Sequence, residues 1–114
     1  MKSFIWVTAE KSMLHCYPDA PSEVHYLKYE HRHLFKVRAY IQIEESRDIE
    51  FMDFKNYIEN VLGLCKQELP IYKSCENISD FIYEQIKNKY PNRDIKIEVS
   101  EDGENGSYIE YPKS

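Results

Sequence analysis

From His31 to Glu44 the side chains alternate without interruption. His31, His33, Phe35, Val37, Ala39, Ile41 and Ile43 fall on one parity, and Arg32, Leu34, Lys36, Arg38, Tyr40, Gln42 and Glu44 on the other. Successive residues of a strand point to opposite faces, so this row predicts one long strand with a buried face and a wetter one. Such a strand cannot bury its apolar row alone, and the rest of the chain must supply neighbouring strands and a cover.

The neighbours are legible on either side. Phe4 to Ala9 is a short apolar run rich in β-forming residues and predicts a first strand. From Glu10 to Glu30 the pattern breaks, with Pro18, Asp19 and Pro21 as punctuation, which predicts a long loop of the kind that usually carries function. Ile95, Ile97 and Val99 alternate with Lys96, Glu98 and Ser100 as a further strand, and Tyr108 to Tyr111 form a last one. Asp102-Gly103 and Asn105-Gly106 lie between them and carry hairpin-turn chemistry, with Gly where φ must be positive.

The cover is helical. Asp53 is the expected cap of a helix in which Phe54, Tyr57, Ile58, Val61, Leu62 and Cys65 recur at helical spacing, closed by Pro70. Ser74 is the expected cap of a second, with Glu76 in its first turn, a stripe of Ile78, Phe81, Ile82 and Ile86, and Pro91 as its stop. The order β-β-α-α-β-β predicts an α+β fold: an antiparallel sheet with two helices on one face.

Composition bounds what such a fold can do. Its 114 residues suffice for one domain over positions 1–114 but leave little mass to wall off a deep active site, which favours a cleft shared between subunits. An excess of 20 acidic over 15 basic residues argues against a nucleic-acid binder, whose footprint would be a basic face, and leaves room only for a small basic patch. Three cysteines without framework spacing suit a reducing compartment. The N-terminal apolar run meets Glu10 too soon for a signal peptide, and no stretch approaches the ~20 apolar residues of a membrane span. A cytoplasmic protein with no membrane partner is expected.

All histidines (His15, His25, His31 and His33) fall between residues 15 and 33. His31 and His33 are two apart on the strand, with Cα atoms about 6.6 Å apart on one face, near enough for both imidazoles to meet one metal ion. His15, arriving on the loop, would complete a three-histidine site with an open fourth position. A plainer reading stands beside it, in which His31 and His33 are polar residues at a strand mouth and His15 is a surface loop residue. Glu101 shares the parity of Ile95, Ile97 and Val99. Pattern alone favours a solvated strand-end carboxylate there. The functional reading has it accept two N–H bonds from the amino-pyrimidinone edge of a ligand.

Several short motifs occur in a familiar order. The three histidines, with His31-Arg32-His33 opening the long strand, are followed by Phe51-Met52-Asp53-Phe54, Ser74-Cys75-Glu76-Asn77, and Val99-Ser100-Glu101 ahead of Gly106 and Tyr108. Together they resemble the 6-pyruvoyl-tetrahydropterin synthase and 6-carboxytetrahydropterin synthase family, the latter serving the queuosine and 7-deazaguanine pathway. The resemblance implies a T-fold whose sheets join between subunits into a barrel, a homo-oligomer (trimer or hexamer) with the ligand at subunit interfaces. It implies zinc on His15, His31 and His33, and Glu101 as the anchor of a pterin or purine.

The departures matter as much. Family synthases carry a Cys shortly before the His-x-His pair, where this chain reads His25-Tyr26-Leu27-Lys28-Tyr29-Glu30, and an Asp-His pair between the helices, where this chain has no histidine. Arg32 replaces the small central Gly of the pair, and His15 lies well beyond Ala9. The expectation is a T-fold protein that binds a pterin-, purine- or nucleotide-like small molecule, with zinc but without the standard proton relay, for sequestration or sensing. A viral or mobile-element setting would suit it. The alternative is an active, diverged synthase-like lyase acting on dihydroneopterin triphosphate. In it His25, Cys16 or Tyr26 would stand in for the relay, and Arg32 would meet ligand charge. A third reading keeps the fold only as an interaction scaffold.

Overall fold

A computed structural model describes residues 1–113. Its elements are β1 (Ser3–His15), a 3-10 segment (Ser22–Lys28), β2 (His31–Ile43), α1 (Phe51–Glu68), α2 (Cys75–Lys89), β3 (Ile95–Glu101) and β4 (Asn105–Tyr111). The strands form one sheet of order β1-β2-β3-β4 in which every neighbouring pair is antiparallel. The β-β-α-α-β-β order is the one the sequence pattern predicts, and the topology is T-fold-like, as the resemblance implies.

One face of the sheet is dry. Ile5, Val7, Ala9 and Met13 of β1, Phe35, Val37, Ala39 and Ile41 of β2, and Ile95, Ile97 and Val99 of β3 are buried in one core. The helices close it with Phe54, Ile58, Val61, Leu62 and Cys65 from α1 and Ile78, Ile82 and Ile86 from α2. The opposite parity, including Trp6, Arg32, Lys36, Arg38 and Tyr108, faces away from the helices and is exposed.

Local structure differs from expectation at four places. β1 does not end at Ala9 but runs on to His15, because the long β2 continues its ladder: Lys11 pairs with Phe35, Met13 with His33 and His15 with His31. Glu10 and Ser12, which break the apolar run, fall on the exposed face, so their polarity does not oppose strand formation. The loop expected from residue 10 is correspondingly shorter, and it contains the 3-10 segment. The third difference is the cap of α1. It is Glu50, whose carboxylate accepts the Asp53 amide at 2.8 Å, while Asp53 lies in the first turn.

The fourth lies in the hairpin. The turn is Asp102-Gly103-Glu104, with Asp102 and Gly103 at φ 59° and 75°, closed by the Glu104 amide on the Glu101 carbonyl at 3.1 Å. Asn105 and Gly106 already belong to β4. A Cβ at Gly106 would collide with the Val99 carbonyl and the Ser100 Cα, so that glycine permits a close backbone approach rather than a turn. Ser74 caps α2 as expected, in a reciprocal capping box with Asn77.

Candidate metal centre

The register of three strands assembles the site. His15 ends β1 opposite His31 at the start of β2, His33 is two residues further along the same face, and Glu101 ends β3 opposite Phe35. The imidazoles therefore cluster, with ring centroids 4.3 Å (His15–His31), 4.8 Å (His31–His33) and 5.1 Å (His15–His33) apart. One nitrogen from each lies within 4.8 Å of the others, close enough for the trio to hold a metal ion. Phe35 is wholly buried beneath them, its ring edge-on to His15 and His33.

The hydrogen bonds decide which nitrogen each ring offers. His31 Nδ1 is 2.8 Å from the Tyr29 carbonyl, His15 Nδ1 is 3.3 Å from the Lys73 carbonyl, and His33 Nδ1 is 2.6 Å from Asp102 Oδ2. Every one of these partners is an acceptor, so each Nδ1 carries the proton and donates it. That leaves each Nε2 with a lone pair. His15 Nε2 and His31 Nε2 are buried without a hydrogen-bond partner. A buried nitrogen with no partner is costly, and two such acceptors beside the free Nε2 of His33 are what a bound cation would satisfy. Imidazoles held by an outer acceptor on the far nitrogen are what metal-binding histidines show, and three with space beside them suit zinc. The donor set therefore fits the metal.

Asp102 is the most structured of these outer partners. Besides accepting from His33 it accepts the Leu34 amide at 2.8 Å, and its own amide donates to the Leu34 carbonyl at 2.7 Å. Those bonds, the Leu34 amide first and His33 second, hold its carboxyl below the usual range. In the sequence Asp102 reads only as a turn residue before Gly103. The pairing of β3 with β2 that delivers it to His33 has no signal of its own in the chain.

Burial lowers the pKa of His15, against an opposing pull from Glu101, and so favours the neutral ring. Glu101 Oε2 lies 3.0 Å from His15 Nε2 and 3.8 Å from His33 Nε2.

A cavity of about 570 Å³ opens beside His15 and His31. Glu101, Cys16, Lys73 and the first turn of α2 line it, with the half-exposed Tyr17 and Tyr72 at its rim. Lys73 is 3% exposed, with Nζ on the Leu14 carbonyl at 3.1 Å, and burial lowers its pKa. Nothing in the sequence marks it, since it reads as a polar residue before a helix cap. Burial pushes the Cys75 thiol up to about 12 and Cys65 up to about 11, so both stay protonated and unreactive near neutrality.

The remaining candidates are placed as follows. Cys16 lines the cavity. His25 packs edge-on against Tyr29, and Tyr26 is 68% exposed; neither joins the histidine cluster or lines the cavity. Arg32 points to the opposite face of the sheet, with its guanidinium 3.3 Å from Ser12 Oγ.

Comparison with protein-family models gives no match, and comparison with curated proteins gives no significant one. Fold and site thus define the class by themselves: an α+β protein of β-β-α-α-β-β order and T-fold-like topology, with a three-histidine cluster able to hold a metal ion.

Proposed function

We propose that this is a T-fold binding protein of the tetrahydropterin synthase type. His15, His31 and His33 would hold zinc, and the adjoining cavity a flat purine- or pterin-like small molecule. The observation that carries this reading is the set of three imidazoles, each with its Nδ1 proton given to an acceptor and its Nε2 left for a cation. When bound, zinc supplies a Lewis acid that polarises an oxygen of the ligand. A cavity near 570 Å³ is of small-molecule size, and Tyr17 and Tyr72 offer aromatic faces for stacking at its rim. The standard proton relay is lost in this reading, because no histidine follows His33.

A homo-oligomer, trimer or hexamer, belongs to the same proposal. β1 and β4 are both edge strands, and a thirteen-residue edge such as β1 is a ready template for a strand of a second copy. Arg32 would then reach a ligand only across a subunit interface. A reducing cytoplasm suits the three free cysteines, and among the described residues no helix is long and apolar enough to cross a membrane.

Native mass spectrometry of untagged protein tests the reading, together with thermal-shift screening against pterins, guanine derivatives and nucleotides. The expected result is a symmetric oligomer with zinc and a ligand-dependent rise in melting temperature. A metal-free monomer that no such compound stabilises would refute it.

The lyase alternative is favoured by one observation, the position of Cys16 in the cavity wall. Turnover of dihydroneopterin triphosphate that disappears in Cys16→Ser would replace the binding reading with the catalytic one.

A further inference from the structure

Glu101 stands beside the histidine trio and close to two of its members, while the group whose donor atoms all lie within 4.8 Å of one another is the trio alone. Its Oε2 is 3.0 Å from His15 Nε2, yet that nitrogen makes no hydrogen bond, so the approach is close but lacks the alignment of a shared proton. His15 is only 8% exposed, and its Nδ1 proton is already committed to the Lys73 carbonyl. A carboxylate oxygen and an imidazole lone pair, both acceptors, are thus in near contact, the imidazole buried and the Glu101 side chain 25% exposed. Two acceptors repel unless a cation lies between them.

The spacing fits such a cation. Zinc bonded at 2.0–2.2 Å to tetrahedral N and O donors separates those donors by about 3.3 Å. The distances from Glu101 Oε2 to His15 Nε2 and His33 Nε2, 3.0 and 3.8 Å, bracket that value. The backbone explains why. Glu101 is the residue of β3 paired with Phe35, the buried side chain next along from His33 on the same face, so its carboxylate is delivered over the Phe35 ring to the histidines.

We infer that Glu101 is the fourth protein ligand of the metal, giving a His15-His31-His33-Glu101 set rather than a three-histidine site with an open position. This rests on the metal reading above and alters the role of Glu101 within it. With Oε2 on the metal, only Oε1 is left to accept N–H groups, so the carboxylate cannot offer a ligand both of its oxygens. The resting site is therefore closed, and a molecule entering the cavity must displace Glu101 before it can reach the metal.

Cobalt(II) and zinc uptake by the full chain test this. Zinc affinity is read by competition with a chromophoric chelator, and coordination number by the visible absorption of the cobalt form, which is intense only when cobalt is four-coordinate. The wild-type cobalt form is expected to show the intense band and to be unchanged by added thiocyanate. Glu101→Gln and Glu101→Ala are expected to bind zinc at least as much more weakly as the loss of an outer-shell partner entails, about 10–100-fold. Their cobalt spectra should respond to thiocyanate, which fills the vacated position. Glu101→Gln is nearly isosteric and keeps the test valid if Glu101→Ala fails to fold. Wild-type affinity and spectrum in both variants would overturn the fourth-ligand role while leaving the histidine site standing. Equal, weak uptake by the wild type, His15→Ala and His31→Ala would overturn the metal reading itself.

Discussion

The two ends of one sheet face differ in chemistry although they share a single periodicity. Along β2 the helix-facing row runs Ile41, Ala39, Val37 and Phe35, and then continues as His33 and His31. On β1 the row ends in Met13 and His15, and on β3 Ile95, Ile97 and Val99 are followed by Glu101. At the Ile41–Ile95 end the row is a dry core under both helices; at the other it is a cluster of ionisable groups around unpartnered nitrogens. The site is thus an extension of the core pattern, carried on strand backbone. Strand register brings its donors together, and Tyr29, Lys73 and Asp102, outside the strands, orient the rings, at the cost of cohesion at that end.

Phe35 marks the boundary and tests it most severely. It is fully buried, belongs to the core row, and floors the rings of His15 and His33. Phe35→Ala is expected to lower unfolding stability by about 3–5 kcal/mol, read by urea denaturation, and to weaken metal uptake as well. If zinc affinity survives the loss of that ring, the two ends are independent, and the continuity argued above fails.

Metal should correct the weakness of the polar end. Zinc at a hundredfold excess over its dissociation constant is expected to stabilise the folded chain by about 2.7 kcal/mol. The measurement is the melting temperature with zinc and with chelator, for the wild type and for His31→Leu. The wild type should respond to both; the variant should respond to neither, and in chelator it should melt above the wild type because an unpartnered buried nitrogen has been removed. A wild type indifferent to zinc would erase the distinction between the ends.

Asp102→Asn probes how firmly the polar end is held. The amide keeps an acceptor for the Leu34 amide but takes away the charged partner of His33. Zinc affinity is expected to fall about 10–100-fold, with little change in the stability of the metal-free protein. Asp102→Ala, which loses both bonds, should fall further. Equal affinity for all three proteins would show that His33 needs no outer partner.

The dry end was the legible one. Period-two and helical spacing identify nearly every buried residue there, because burial demands apolar side chains and the period is local. The polar end was legible only in its residue types. His31 and His33 announce themselves by spacing, but β1 reaches His15 through Glu10, Lys11 and Ser12, whose polarity hides a strand that β2 stabilises from outside. Asp102 and Lys73 act through contacts that depend on register and on the α1–α2 connection, which no single segment encodes. The same dependence places Arg32 on the far face: the parity that brings His31 and His33 inward turns their central residue outward.

Titration without metal offers the finest separation of the two ends, and the smallest effect. Burial holds His15 below its ordinary 6.5, so the unfolded chain binds more protons between that lowered value and 6.5. Stability therefore rises with pH through that window and is flat above it. At the other end Asp48 is lowered from 3.8 chiefly by its hydrogen bond from Arg93, and Asp94 by the Lys113 amide and then Lys2. The stability these carboxylates supply is complete above 3.8 and is lost as pH falls through their lower folded values. Urea midpoints measured in chelator from neutral pH downward should thus decline in two stages, the first from His15 and the second from the lowered carboxylates, Asp102 at the polar end as well as Asp48 and Asp94. His15→Gln should remove the first stage and leave the second. A single acid transition, identical in wild type and variant, would mean that His15 is not held neutral by burial, and that the polar end is wetter than its 8% exposure implies.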